Sequence, residues 1–411
     1  MTVNINADTT NGLVLTSDTS GEIELQANSV TKAKVTSSGL TDSSGNTYGL
    51  SKTNGMYRNL FINGDMNIAQ RGTSTTGLQY NNDNNFPCCD RWQFAEFGST
   101  SYTAAFTASQ STDVPSGQGF AKSFKMDCTT ADATLESDTA VVIRQSIEAQ
   151  NLQHLKYGTS SAETLTMSFW VKSNLTGTFT VIIQHIDGSL YYGADYTISS
   201  ANTWEKKTIT IPGDTTASIN NDNTVGFRVS FYLAVGSDYA SGTNEQWTST
   251  ASVANIAPNM TNNIGGSTSN EWYVTGVQLE VGEGASDFEH LPYDVQLQRC
   301  QRYFSTSYGN NPVGTNTWDG TVAGRNYDTS PRGENSVSIH YPVQMRALPT
   351  LTAYSKAGTS GKGVQGSTSI DGSTVERNCT LRGSATILRA ALMTADAISF
   401  FQFHYTASAE L

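Results

Sequence analysis

NLFINGDMNIAQRG at residues 59–72 and VQLEVGEGASDFEHLPYDVQLQRCQRYF at residues 277–304 bracket a long run of strand-like sequence with almost no helical period. The first stretch predicts a strand, a turn at Asn63, Gly64 and Asp65, and a second short strand. The second predicts a strand ending at Glu280, a turn over residues 282–284 and a short amphipathic helix. Together they read as the start and the end of one closed β unit.

Working inward, alternation is strong. Leu165, Met167, Phe169 and Val171 fall on one face, with Thr164, Thr166, Ser168 and Trp170 on the other. Phe227, Val229, Phe231, Leu233 and Val235 form a longer period-two set, and Ile209 with Ile211, then Tyr273, Thr275, Val277 and Leu279, repeat it. Clusters such as Gly213-Asp214-Thr215-Thr216 and Gly236-Ser237-Asp238 punctuate these runs at sandwich spacing. Residues 58–293 therefore predict an antiparallel jelly-roll sandwich of about eight strands. Residues 143–156 depart from the pattern, and Ile143, Ile147, Leu152 and Leu155 predict a helical turn or two.

Working outward, residues 1–57 read as short strands: Leu13 with Leu15, then Ile23, Leu25 and Ala27, then Ala33 and Val35, then Leu40. Each carries too few apolar residues for a core of its own, so this region predicts burial against identical chains around a threefold axis. Residues 294–304 form a connector helix, with Asp294 as the expected cap and Leu297, Cys300, Gln301 and Phe304 at helical spacing. Such a helix at a domain junction is expected to pack on its symmetry mates, being too short to persist alone. Residues 305–411 predict a C-terminal β-sandwich, with strands at residues 336–341, 350–354, 387–392 and 397–405 and an exposed loop over residues 358–372. The whole chain is thus all-β.

Composition narrows the function. Charged residues make up 15% of the chain, against about 25% in an average protein, and Ser, Thr, Asn and Gly fill the polar positions. A net charge of -12 with 24 scattered basic residues argues against binding nucleic acid, which needs clustered Lys and Arg. No apolar run approaches the ~18 residues of a membrane span. The opening MTVNINADTT has neither a basic nor an apolar signal region. Five cysteines, Cys88, Cys89, Cys128, Cys300 and Cys379, show no CxxC spacing, and predict reduced, buried thiols made in a reducing compartment.

The bracketing pair, with Asp90-Arg91-Trp92 shortly after its first member, resembles tail fibre proteins of tailed bacteriophages, where it frames a galactose-binding-like, carbohydrate-binding jelly roll. GEIELQANSVTKAKVTSSGL at residues 21–40 resembles short repeats near the start of such fibres, and PVQMRALPTLTAYS and SFFQFHYTASAEL resemble fibre tips. The resemblance implies a homotrimer in the virion, assembled in the host cytoplasm. Its N-terminus would be held by tail or other virion proteins, and it would bind a host-surface glycan without inserting in a membrane. It also implies a structural calcium ion where first and last strands meet, for which Asp65, Asn67 and Glu280 are the nearest oxygen donors. In this sequence Met66 and Asn67 replace the usual acidic residue beside the first turn.

No nucleotide-binding glycine pattern, GxSxG elbow or HExxH helix occurs. Glycoside cleavage would need two carboxyl groups across a cleft; Asp187, Asp195, Asp214, Asp222, Asp238 and Glu245 are available, most of them in turn sequences. Binding rather than catalysis is therefore expected; a polysaccharide-degrading tail enzyme, or a head fibre or decoration protein, are the rival assignments. Sugar binding needs an aromatic face with neighbouring amides, carboxylates or guanidinium groups. Tyr308, Trp318, Arg325 and Tyr327 in the C-terminal region, then Tyr191, Tyr192 and Trp247 in the jelly roll, supply that mixture.

Overall fold

The computed structural model describes residues 23–27, 30–36, 39–42, 57–80, 86–98, 100–252, 254, 256–309, 311–325, 335–366, 375–392 and 400–411. The pair Leu13 and Leu15 lies outside them. Strands β1 (Ile23–Ala27), β2 (Val30–Thr36) and β3 (Gly39–Asp42) form a three-stranded antiparallel meander.

The next twelve strands make a sandwich. They are β4 (Ser74–Leu78), β5 (Gln93–Phe97), β6 (Ala105–Ser111), β7 (Ser123–Thr130), β8 (Ala140–Glu148) and β9 (Leu165–Ser173). After them come β10 (Gly177–His185), β11 (Leu190–Ile198), β12 (Glu205–Ile211), β13 (Val225–Val235), β14 (Trp247–Ser249) and β15 (Glu271–Val281). One six-stranded sheet runs β14-β11-β10-β13-β8-β5, and its partner runs β12-β9-β15-β7-β6-β4. All pairings are antiparallel, and the chain passes repeatedly between sheets, as in a jelly roll. There are more strands than the alternation alone indicated, because short edge strands such as β4 and β14 are only partly buried.

The predicted core faces meet in one cluster that includes Phe169, Phe227, Val229, Phe231, Leu233 and Leu279. Phe231 sits at its centre, edge-on to Phe169 at 5.1 Å and 5.4 Å from Trp272. The last strand does not keep a single alternation. Gly276 adopts φ +61°, and the register shifts between Thr275 and Gln278. This bulge turns Val277 and Leu279 into the core behind Trp272 and Val274, and leaves Tyr273 against Lys172 and Trp204. Residues 143–156 divide differently from expectation: Ile143 and Ile147 belong to β8, and only residues 149–155 coil, as a 3-10 helix.

The bracketing segments do lie side by side, joined by Leu60 N–H to Leu279 C=O and Val277 N–H to Gly64 C=O, both 2.9 Å. Residues 59–72 are not the expected strand-turn-strand, however. Asn63 and Met66 take left-handed φ of 58° and 61°, and side chains replace the ladder. Asn59 accepts from Leu279 N–H at 3.1 Å and donates to Val277 C=O at 3.0 Å, while Asn63 closes on both N–H and C=O of Ile68 at 2.9 Å.

Helix α1 (Tyr293–Gln301) follows. Pro292 occupies its cap position, so Asp294 stands in the first turn without a capping bond, contrary to expectation. Its buried residues, Gln296 and Cys300, face inward, and Cys300 clusters with Ile62, Ile68 and Tyr303 of the same chain. The helix therefore needs no symmetry mate to cover this face.

The C-terminal strands are β16 (Phe304–Thr306), β17 (Val322–Arg325), β18 (Asn335–His340), β19 (Thr350–Tyr354), β20 (Lys362–Gly366), β21 (Val375–Gly383), β22 (Ile387–Leu392) and β23 (Phe400–Ser408). They pair in one antiparallel system around a second core containing Met345, Leu388, Phe401 and Phe403. Part of the expected loop over residues 358–372 is strand β20, held between β21 and β23 although Val364 is its one buried apolar residue. All five cysteines are free and buried. Among the described residues no helix is long and apolar enough to cross a membrane.

Candidate functional site

A cleft of about 730 Å³ opens where the sandwich, α1 and the C-terminal region meet. Its size falls within the ~300–1,000 Å³ of ligand sites. Gln145 and Ile147 of β8 and the 3-10 helix residues Gln150, Asn151 and His154 form one side. Val295, Gln298, Arg299 and Arg302 form the other, at the i, i+3, i+4, i+7 spacing that brings them onto one helical stripe. Tyr57, 54% exposed, stands at the edge. No Asp or Glu lines the cleft.

The geometry is fixed by buried polar groups. Gln145 holds Ile62 by both its N–H and its C=O at 2.9 Å, so an amide side chain does the work of a neighbouring strand. Beneath the cleft, fully buried Glu148 accepts two bonds from Arg302 at 2.8 Å and one from the Tyr303 hydroxyl at 2.6 Å. Burial alone would raise the Glu148 pKa, but Arg302 and Tyr303 outweigh it and hold the carboxyl below its usual value. Arg299 is different. It is half-buried, and among the described residues it makes neither hydrogen bond nor ion pair; its guanidinium lies 5.9 Å from the Tyr57 ring centroid. Burial pulls its pKa down, against Cys300, Tyr303, Glu289 and Tyr57. Glu289 acts on it as a charge at a distance and makes no ion pair with it; its carboxylate accepts the backbone N–H groups of Tyr57, Arg58 and Asn59 at 2.6, 3.3 and 3.0 Å.

The residues singled out from sequence are scattered. Tyr308 is fully buried, stacked on His404 at 4.1 Å and edge-on to Tyr354 at 5.9 Å, so its ring offers no face to a ligand. Trp318 is 39% exposed with the Lys356 ammonium 3.6 Å from its ring centroid. Arg325 closes β17, its side chain outside the described set, and Tyr327 lies outside the described residues. Tyr191 is buried and donates to the Ser252 carbonyl. Tyr192 and half-buried Trp247 face each other across β11 and β14 at 5.6 Å, and the indole N–H is taken by Pro212 C=O at 2.8 Å. These three are thus structural partners of one another or of the adjoining loops.

Asp65, Asn67 and Glu280 do not share a common partner. Asp65 accepts from Asn67 at 2.6 Å and Gln296 at 3.0 Å, with its other oxygen left buried and unpartnered. Glu280 is occupied by Gln278 and Ser286, at 2.6 to 2.8 Å, and lies 3.7 Å from Arg58. Both Glu280 oxygens are thus engaged, whereas Asp65 keeps one free oxygen, so the three side chains do not converge on one shared calcium position. The turn aspartates are likewise engaged by other side chains, local or distant in sequence: Asp187 by Asn220, Asp195 by Thr180 and Asn259, Asp214 by Thr216 and His185, Asp222 by Thr224, Asp238 by Ser137.

Tyr57, Arg299 and Gln298 escaped sequence reading. The run of Gln298, Arg299 and Arg302 on one helical stripe was the one available signal, and only tertiary structure shows that it faces a cavity.

No family model and no curated protein matches the chain. Solved structures that resemble it include the enzymatically active domain of tailspike protein 4 of bacteriophage CBA120, with 13% identity, TM-score 0.27, and coverage of 50% of this chain and 21% of that one. Another is the family 11 carbohydrate-binding module of a cellulosomal cellulase of Clostridium thermocellum, with 15% identity, TM-score 0.23, and coverage of 51% and 96%. A third holds the CBM22-1 and GH10 modules of xylanase 10B from Clostridium thermocellum complexed with xylohexaose, with 11% identity, TM-score 0.24, and coverage of 57% and 32%. TM-scores this low carry no argument about function; the all-β assignment rests on the strand pairing.

Proposed function

We propose that this protein is a non-catalytic, glycan-binding fibre of a phage tail, attaching the particle to its host through the cleft at the junction of sandwich, helix and C-terminal region. The observation that carries the reading is the lining: an exposed tyrosine face, several side-chain amides and a guanidinium with neither hydrogen bond nor ion pair among the described residues, with no carboxylate lining the cleft. Aromatic faces take the apolar side of a pyranose, and amides and guanidinium groups hydrogen-bond its hydroxyls. Hydrolysis by a carboxylate pair would need two acidic groups that this cleft lacks. Trp318, exposed in the C-terminal region, is a second contact point in the same reading.

The fibre would be a homotrimer. The three-stranded meander β1–β3 is too thin to bury a core, and Val35 within it is 41% exposed. Repetition of one weak site raises apparent affinity by roughly 100- to 10,000-fold where geometry allows simultaneous engagement.

The test is to incubate purified protein with cells of a susceptible host and with their isolated envelope polysaccharide, measuring retention and release of new reducing ends. Retention without release is expected. Release of oligosaccharide would overturn the non-catalytic assignment, and failure to be retained by either would overturn glycan binding.

A further inference from the structure

Four arginines around the junction are matched. Arg302 is held by Glu148, Arg91 by Glu410 and the Ser146 carbonyl, Arg71 by Glu410, and Arg346 by the carbonyls of Asn223, Ala409 and Glu410. Arg299 alone is not, among the described residues. It lines the cleft, half-buried, with no acidic residue across from it. Glu289 acts on it from a distance but is tied to the backbone N–H groups of Tyr57, Arg58 and Asn59 and makes no ion pair with it. A guanidinium partly removed from water without a direct partner leaves hydrogen-bonding capacity that an anion entering the cleft can take up.

We infer that the cleft takes a sugar residue bearing a carboxylate, with Arg299 pairing to that group and the Tyr57 ring receiving the sugar's apolar face. The inference deepens the glycan-binding reading and rests on it. One unmatched cation balances one negative charge, which suits a carboxylate better than a phosphate monoester carrying about 1.5 to 2. Gln298 and Asn151, on opposite sides of the cleft, are left to hydrogen-bond the hydroxyls. The net charge of -12 works against any polyanion at a distance. Discrimination must therefore come from this one short-range, partly desolvated contact, which salt screens less than a surface pair.

The experiment uses the full chain on an array of immobilised oligosaccharides, in which each uronic- or sialic-acid-containing member is paired with its carboxyl-reduced form and neutral members are included. The wild type is expected to bind at least one acidic member, with a loss of about tenfold or more on carboxyl reduction. Arg299→Gln should erase that preference with an unchanged melting temperature and circular dichroism spectrum, and Arg299→Lys should retain part of it. Equal binding to acidic and reduced members, binding to neutral members alone, or a preference that survives in correctly folded Arg299→Gln would overturn the carboxylate inference and leave glycan binding standing. Binding to no member of the array would overturn both.

Discussion

Glu148, the fully buried last residue of β8, accepts both guanidinium bonds of Arg302, which lies 154 positions later, just beyond α1. The pair ties the sandwich to the start of the C-terminal region; Arg302 lines the cleft and Glu148 lies buried behind it. Its two halves differ in exposure: the Glu148 side chain is 0% exposed and that of Arg302 is 31%.

That asymmetry predicts unequal losses. Arg302→Met strands a buried carboxylate and should cost about 3 to 5 kcal/mol, as when one partner of a buried pair is removed. Glu148→Gln leaves a guanidinium that can turn to water and should cost less. Urea unfolding of the two variants checks this, and equal losses would mean that Glu148 reaches solvent.

The same carboxyl sets a pH dependence. Burial opposes its ionisation but Arg302 and Tyr303 prevail, so its folded pKa lies below the ordinary value of 4.5. Its contribution is therefore fully present above that value and is lost as pH falls through the folded pKa. The stability gap between wild type and Glu148→Gln should be constant from neutral pH down to about 5 and shrink below it. A gap that widened on acidification would reverse the assigned sign.

Phe231 contacts Phe169, Tyr196, Trp92 and Trp272 at the centre of the sandwich. Phe231→Ala should cost about 3 to 5 kcal/mol. A loss under about 1 kcal/mol in denaturant titration would be that of a surface change and would place this ring outside the core.

Trp318→Ala should weaken adsorption to host cells without altering the melting temperature, because the ring is partly exposed, with the Lys356 ammonium over its face. Unchanged adsorption would confine sugar contact to the cleft.

Sedimentation of the whole chain should give the mass of three copies, dependent on β1–β3. Since α1 covers its own apolar face, Cys300→Ser should disturb folding rather than assembly. A stable monomer would remove the trimer from the proposed function.

What could be read from sequence was what depends on neighbours two residues away. The set from Phe227 to Val235 declared its buried face because one side of a strand packs inward along its whole length. Residues 59–72 hid their structure because Asn59, Asn63 and Gln145 satisfy the backbone in place of a partner strand, and two of the three reach across long sequence separations. Tyr308 looked like a loop aromatic among glycines; its stacking partner, His404, comes 96 positions later. Arg299 was invisible as a site residue for the opposite reason, since its distinction is the lack of a hydrogen bond or ion pair among the described residues, which no local pattern encodes.

Strand β23 is bonded along its second half to β16 and β19 and along its first half to β17 and β20. Four strands that precede it in the chain thus have it as a common neighbour, and β16, β17 and β19 have no other ladder among the described residues. On the ribosome, β16, β17 and β19 must wait for their partner until residues 400–408 have emerged, although β18, β20, β21 and β22 can pair among themselves earlier, whereas the sandwich strands are complete by Val281. The C-terminal region should therefore close in one late step after translation has passed it. Nascent chains halted before residue 400 should carry a protease-resistant sandwich with a protease-sensitive extension.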